Sequence, residues 1–222
     1  MRREFEKSTI REYFESIVIA VILALFIRTF VVQAFKIPSG SMENNLLIGD
    51  HLLVNKFVLG PTSSALERAL LPIGTIKRGD VLVFKYPEEP ERDFIKRIIG
   101  LPGDTIELRQ KKVYINGQPL DEPYVHFLEP PRGDASEITS LDVRERYGPV
   151  TVPADQYFAM GDNRDNSSDS RDPNGGVGFI PLENLVGRAE FIFFSIDAQS
   201  PWWQVWQWPA QIRWSRLFSG IT

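Results

Sequence analysis

The chain has no cysteine, which removes disulfides, thiol nucleophiles and thiolate zinc sites together. Histidine is almost absent. His51 and His126 are the only two, and neither sits in a motif, so a histidine-based triad has little to draw on. Positive charge is not in excess either. With 25 Lys and Arg against 29 Asp and Glu, the formal net charge is -4, which argues against nucleic acid as a partner, since such binding needs a basic face. No internal repeat is evident. At 43% hydrophobic and 24% charged over 222 residues, wholesale disorder is not expected, and the length suits one domain with appendages.

What is present begins with an apolar N-terminal segment. Ile17 to Ile27 are uninterrupted apolar residues, Arg28-Thr29 breaks the run, and Phe30 to Phe35 largely resumes it. The first run alone makes about 16 Å of helix, short of a roughly 30 Å hydrocarbon core. Taken from Phe14 to Val32 the segment is long enough, provided Arg28 lies near one interface where its side chain can snorkel. Thr9-x-x-Glu12 has the form of a capping box and sets the helix start near residue 10. Arg2, Arg3, Lys7 and Arg11 favour a cytoplasmic N-terminus, a bias weakened by Lys36 and Lys56. No small-x-small site closely follows the apolar core, so an uncleaved anchor is expected rather than a removed leader. The expected organisation is a cytoplasmic N-terminus over 1–12, a transmembrane anchor over 13–33 and an extracytoplasmic domain over 34–222.

Beyond residue 35 the pattern changes to short strand-like runs with turn punctuation. Val81 to Phe84, Phe94 to Ile99, Lys112 to Ile115, Val150 to Val152, Gln156 to Met160 and Glu190 to Ile196 read as strands, and Asn116-Gly117 is a hairpin signal. The fold class expected is mostly β: an N-terminal transmembrane helix, then an antiparallel β-sheet domain with few short helices. Gly60 to Gly74 reads as a loop in which Ala65 to Leu70 forms a short helix. Asp121 to Gly148 is a charged excursion, long enough to carry its own hairpin or subdomain.

Three separated segments hold candidate chemistry: Pro38-Ser39-Gly40-Ser41-Met42, Phe94-Ile95-Lys96-Arg97 and Gly161-Asp162-Asn163-Arg164-Asp165-Asn166-Ser167. A serine hydroxyl is a weak nucleophile and needs an adjacent base. Gly40 lets the backbone turn tightly beside Ser41, and Ser39 can aim a second hydroxyl at the same carbonyl oxygen. Alone, Ser-Gly-Ser is equally a common turn. On a strand, Lys96 shares a face with Phe94 and Ile98, where desolvation would lower its pKa. That is required of a base, because an ordinary lysine is neutral only about 0.04% of the time at pH 7, a deficit of roughly 4.6 kcal/mol. The alternative is a surface lysine guarding an edge strand. The acid-rich third segment does not fit a Ca²⁺ loop, since Ser170 and Gly176 occupy the positions that need Gly and Glu. It reads instead as a rigid loop that presents Ser167 and pairs Asp169 with Arg171. No metal site and no cofactor are expected.

These segments, with Arg78-Gly79-Asp80-Val81-Leu82-Val83-Phe84, Ile95 to Asp104, Met160 to Arg171 and Asn184-Leu185-Val186-Gly187-Arg188-Ala189, resemble the bacterial type I signal peptidases in family order, from about residue 28 to 196. The resemblance implies a membrane-bound serine endopeptidase of the Ser/Lys dyad type. It would remove signal peptides from exported preproteins after small residues (Ala-x-Ala) through an acyl-enzyme. It assigns Ser41 as nucleophile, Lys96 as general base, Ser39 to the oxyanion hole, Ser167 to orienting the lysine, and Asp169 and Arg171 to the supporting ion pair. Ile37, Met42, Leu46, Phe94 and Ile95 match the pocket for the residue before the scissile bond. Phe35, Leu52, Val83, Asp93 and Ile95 match the pocket two residues further upstream. It also implies the bacterial cytoplasmic membrane as location, with signal peptides and the bilayer as partners. The family varies between one and two N-terminal spans and one is read here, so a single-pass protein acting as a monomer is expected. Asn44-Asn45 departs from the Pro-Thr usual after the nucleophile, which puts local rigidity in doubt. The Asp172 to Gly178 stretch is longer and richer in glycine than usual. Two other readings fit fewer features: a self-cleaving repressor protease with the same dyad, and a membrane-tethered β-domain that only binds.

All five tryptophans, Trp202, Trp203, Trp206, Trp208 and Trp214, fall in the last 21 residues. Trp favours the headgroup region, so this tail is expected either to rest on a membrane surface or to cover the sheet as core.

Overall fold

The computed structural model describes residues 9–56, 75–128, 143–173, 175–197 and 208–221. The expected helix at 65–70, the middle of the 121–148 excursion, and Trp202, Trp203 and Trp206 lie outside them.

Helix α1 spans Thr9–Phe26 and continues as a π-helical turn over Ile27–Val31. It buries none of its residues, and Phe14, Ile17, Ile22 and Leu25 are each more than half exposed. An Arg11–Glu15 pair one turn apart marks its polar end. With Arg11, Glu12 and Glu15 inside its 18 residues, no helix among the described residues is long and apolar enough to cross a membrane.

Strand β1, Val32–Lys36, follows the helix directly. Its first residues, read from sequence as the end of the anchor, instead pair antiparallel with β2, Asp50–Asn55. The larger sheet runs β1-β2-β11-β3-β4-β9-β10, with β12 on β11. Here β3 is Val81–Lys85, β4 Asp93–Gly100, β9 Gln156–Met160, β10 Ile180–Pro181, β11 Leu185–Ser195 and β12 Ser219–Gly220. A smaller sheet runs β7-β6-β5-β8, made of Thr105–Arg109 (β5), Lys112–Ile115 (β6), Gln118–Pro119 (β7) and Arg146–Thr151 (β8). All of these pairings are antiparallel. The β6–β7 hairpin turns on Asn116 and Gly117, both at positive φ (50° and 79°), as an Asn-Gly turn requires.

Packing explains the patterns. Val81 and Val83 of β3 face a core with Ile37, Met42, Leu46, Leu52, Val54, Ala189 and Ile192, while Leu82 and Phe84 face another with Tyr86, Ile98, Ala159 and Ile180. A strand buried on both faces reads as a continuous apolar run rather than an alternating one. The smaller sheet packs Ile106, Leu108, Val113 and Ile115 against Ile99, Phe158 and Met160. Among the tail residues, Trp214 is 63% exposed and Phe218 75% exposed, so neither ring serves as core.

Candidate active site

The segment carrying Ser41 is fixed by apolar anchors on both sides. Ile37, Met42 and Leu46 are buried in the first core. Between Ile37 and Met42 the backbone makes a short 3-10 turn over Gly40–Met42, closed by Glu43 N–H to Gly40 O at 3.1 Å, and Leu46 N–H donates to Met42 O at 2.8 Å. Asn44 takes a positive φ of 79°, a conformation asparagine tolerates. The Asn45 carboxamide donates to Asp162 Oδ2 at 2.7 Å and to Tyr124 O at 3.0 Å. The Asn-Asn pair therefore supplies its own rigidity.

Lys96 projects from the middle of β4, where its backbone is held opposite Leu82. It is 3% exposed, its Nζ lies 5.6 Å from the centre of the Phe94 ring, and it donates to Ser41 Oγ at 2.7 Å. Burial pulls its pKa down from 10.5 to about 8. The carboxylates of Asp169 and Asp162 pull the other way, and the Arg171 charge adds to the lowering.

The third segment follows β9 as a knotted loop. Asp169 accepts from Arg171 Nε at 2.9 Å and Nη2 at 2.8 Å, and from Gly161 N–H at 3.0 Å. Burial pushes the Asp169 carboxyl up, but the Arg171 charge and these hydrogen bonds outweigh it, leaving the pKa below the usual carboxylate value. Arg171 also donates to Arg164 O at 2.9 Å, and Arg164, buried itself, is clasped by Glu122. Asp162 takes the neighbouring Arg97 in a two-pronged pair at 2.8 and 2.7 Å, with Tyr124 stacked 4.0 Å from that guanidinium. Asn163 N–H donates to Ser41 O at 3.1 Å, tying the loop to the Ser41 carbonyl.

Ser167 is buried, but among the described residues its Oγ has no hydrogen-bond partner and makes no bond to Lys96. It lies against Gly161, where an added Cβ would meet Ser167 Oγ at 2.3 Å and Ser41 O at 2.4 Å. Ser39, Ser41 and Lys96 share a cleft of about 430 Å³ with Asp93, Phe94 and Ile95. Of the residues matched to substrate pockets, Ile37, Met42, Leu46, Leu52 and Val83 form one cluster, with Phe35 and Ile95 packed against it. Phe94 packs instead with the core of Leu82 and Phe84, and Asp93 is exposed at the cleft mouth. Strand β9 meets β4 over Arg97–Gly100, and among the described residues the Asp93–Lys96 half is paired on its β3 side alone.

Sequence reading gave no role to Arg97, Asp162 or Tyr124, and took Asn45 only as a departure that put local rigidity in doubt. The available signal was an arginine inside an apolar strand, because a buried guanidinium needs a carboxylate partner. His51 packs its ring on Phe193 and Phe194, and His126 meets the loop only through its backbone. Among the described residues no three His, Asp or Glu side chains converge to hold a metal ion.

The family model for signal peptidase, peptidase S26, matches residues 10–194. A signal peptidase I of Pseudomonas aeruginosa is 40% identical over 205 residues, covering 83% of this chain and 72% of its own. Signal peptidase I P of Bacillus subtilis subsp. natto is 38% identical over 192 residues, covering 86% of this chain and 93% of its own. The solved structure of a signal peptidase I from Enterococcus faecalis superposes with a TM-score of 0.40 at 31% identity, over 52% of this chain and 97% of its own.

Proposed function

Because the chain belongs to the signal peptidase family, peptidase S26, we propose that it is a serine endopeptidase removing signal peptides from exported preproteins with Ser41 as nucleophile and Lys96 as base. The observation that carries this reading is the buried 2.7 Å contact between Lys96 Nζ and Ser41 Oγ, with the lysine pKa lowered to about 8. Near that pH a substantial fraction of the amine is neutral and free to accept the serine proton.

In the reaction, Ser41 Oγ attacks the carbonyl before the scissile bond as Lys96 takes its proton. The oxyanion receives the Ser41 backbone N–H and the Ser39 hydroxyl, which lines the same cleft. Collapse breaks the C–N bond, and the Lys96 ammonium returns the proton to the departing amine. Water, giving its proton to the same lysine, then attacks the ester carbonyl; the bond to Ser41 Oγ breaks, and the lysine returns that proton to Ser41, releasing the carboxylic product. Ser167 orients the lysine, and the Asp169–Arg171 pair keeps that loop in place. The substrate lies along the Asp93–Lys96 half of β4 as an added strand, and the apolar cluster around Ile37, Met42, Leu46 and Ile95 favours small side chains such as Ala on the acyl side.

The anchor reading extends this. The α-helix and its π turn together run roughly 33 Å, with apolar side chains bare to the surroundings, a surface that water disfavours and lipid does not. The protein is held in the bacterial cytoplasmic membrane by this one span, with residues 34–222 outside the cytoplasm. Trp214, Phe218 and Ile48, all exposed, rest on the bilayer. Ser39, Ser41 and Lys96 meet in one cleft of a single chain, which supports a monomer as the active form.

The test is incubation of the detergent-purified full chain with a preprotein bearing an Ala-x-Ala site, beside Ser41→Ala and Lys96→Ala. Cleavage after the second Ala by wild type alone is expected. Cleavage that survives either substitution would overturn the dyad.

A further inference from the structure

The cleft has two chemically different sides. Toward β3 and β2 the nucleophile turn adjoins the apolar cluster of Ile37, Met42, Leu46 and Leu52. Toward β9 its wall is polar, formed by Asn166 and Ser168, both exposed. Glu43, two residues after Ser41 and exposed, belongs to this polar side. Its Oε2 lies 3.2 Å from where a Gly40 Cβ would stand, and the Asn166 carboxamide nitrogen lies 4.0 Å from the same point. Asn163 Nδ2 reaches the same carboxylate oxygen at 3.4 Å.

Of the other acids nearby, Asp93 stands exposed on the β4 side of the cleft, and the three on the loop are neutralised. Asp162 is taken by Arg97, Asp165 by Lys111 and Asp169 by Arg171. Glu43 receives only the long contact from the neutral Asn163 amide, and among the described residues no salt bridge joins it. An uncompensated carboxylate therefore stands at the polar rim of the cleft, within a few ångströms of the nucleophile turn.

We propose that Glu43 is a specificity-determining residue for the leaving side of the substrate, favouring a cationic residue after the scissile bond and disfavouring an acidic one. The inference rests on the peptidase reading above. A peptide that places its acyl-side residue in the apolar cluster must continue across Ser41 toward Asn166 and Glu43. There a lysine side chain, and the amine released on acylation, meet the carboxylate, whereas an acidic side chain meets like charge. Exposed charges about 6 Å apart in water change a rate constant by about threefold each way, so lysine and glutamate differ by about tenfold.

The experiment uses the full chain in detergent and three peptides that differ only in the residue after the cleaved bond: Lys, Gln or Glu. The readout is the Lys-to-Glu ratio of kcat/KM, measured for wild type, Glu43→Gln and Glu43→Lys, with Ser41→Ala as the blank. Wild type is expected to give a ratio of about ten in low salt, compressed toward one at 1 M salt. Glu43→Gln brings the ratio near one, and Glu43→Lys inverts it. Cleavage with the same ratio in wild type and Glu43→Lys overturns the role of Glu43 and leaves the peptidase reading standing. Absence of cleavage of all three peptides by folded wild type overturns that reading and this one with it.

Discussion

Lys96 Nζ lies 2.7 Å from Ser41 Oγ, and the lysine end of that contact is almost fully shut off from water. Below its pKa the ammonium donates to the hydroxyl and the pair is idle. Above it, in the proposed mechanism, the amine accepts the serine proton and the pair can react. The same two atoms hold both states, and pH chooses between them.

The first prediction concerns rate. With the Lys96 pKa at about 8, kcat/KM should climb about tenfold per pH unit below 8 and level off above it. At pH 6 about a hundredth of the plateau remains. A profile flat from pH 6 to 9 would exclude Lys96 as the titrating base.

The second concerns stability, and its sign differs from that of an ordinary ion pair. The folded pKa of about 8 lies below the 10.5 of the free side chain. Between those values the unfolded chain binds more protons, so stability rises with pH across the window from 8 to 10.5. Below pH 8 the full cost is present, on the order of 3 kcal/mol. Lys96→Met removes that cost along with a hydrogen bond worth about 1 kcal/mol. The inactive variant should therefore melt several degrees above wild type at pH 7, with the gap closing toward pH 10. Thermal melts at the two pH values check this, and a variant less stable at pH 7 would contradict it.

Much of this was readable from the chain. The runs at Val81, Phe94, Lys112 and Gln156 are strands, Asn116-Gly117 is the hairpin turn, and Phe94 and Ile98 share the face of Lys96. Strand β1 was hidden because its apolar residues continue those of the helix, and only pairing with β2 separates the two. The Asn45–Asp162 bond was hidden too. Its partners stand 117 residues apart, and no local propensity links a turn asparagine to a distant loop. The pairing of Arg97 was hidden as well, since Asp162 and Tyr124, which close over it, lie far along the chain.

The third prediction separates orienting from structural duty at Ser167. Its buried hydroxyl has no partner in the substrate-free chain, so it carries a desolvation cost with nothing returned. Ser167→Ala should leave the melting temperature unchanged or slightly raised. If the hydroxyl positions the lysine amine during reaction, kcat should still fall by about a hundredfold. Calorimetry beside steady-state kinetics reads both. Full activity in the variant would remove Ser167 from the mechanism.

The fourth prediction follows from the closest approach in the site. Gly161 has no side chain because there is no room for one: a Cβ would stand 2.3 Å from Ser167 Oγ and 2.4 Å from Ser41 O. Ser167 Oγ can rotate away, but Ser167 Cβ, 2.6 Å from the same point, cannot, and the Ser41 carbonyl is backbone, held by Asn163 N–H at 3.1 Å. Gly161→Ala must therefore push the nucleophile turn and the loop apart, lengthening the Ser41–Lys96 contact and lifting Ser167 from its place. Most of the loop stays tied by Asp169–Arg171 and Arg97–Asp162, so the fold should survive with a loss of about 1–3 kcal/mol. The reaction should not, because a shift of about 1 Å at the nucleophile costs about a hundredfold or more in kcat. The comparison that decides is Gly161→Ala against Gly103→Ala. An added Cβ at Gly103 meets nothing within 4 Å, although its φ of 86° carries a strain of its own. If both variants lose stability but only Gly161→Ala loses kcat, contact with Ser41 is the cause. Equal kcat in the two would mean that the turn yields without disturbing the dyad.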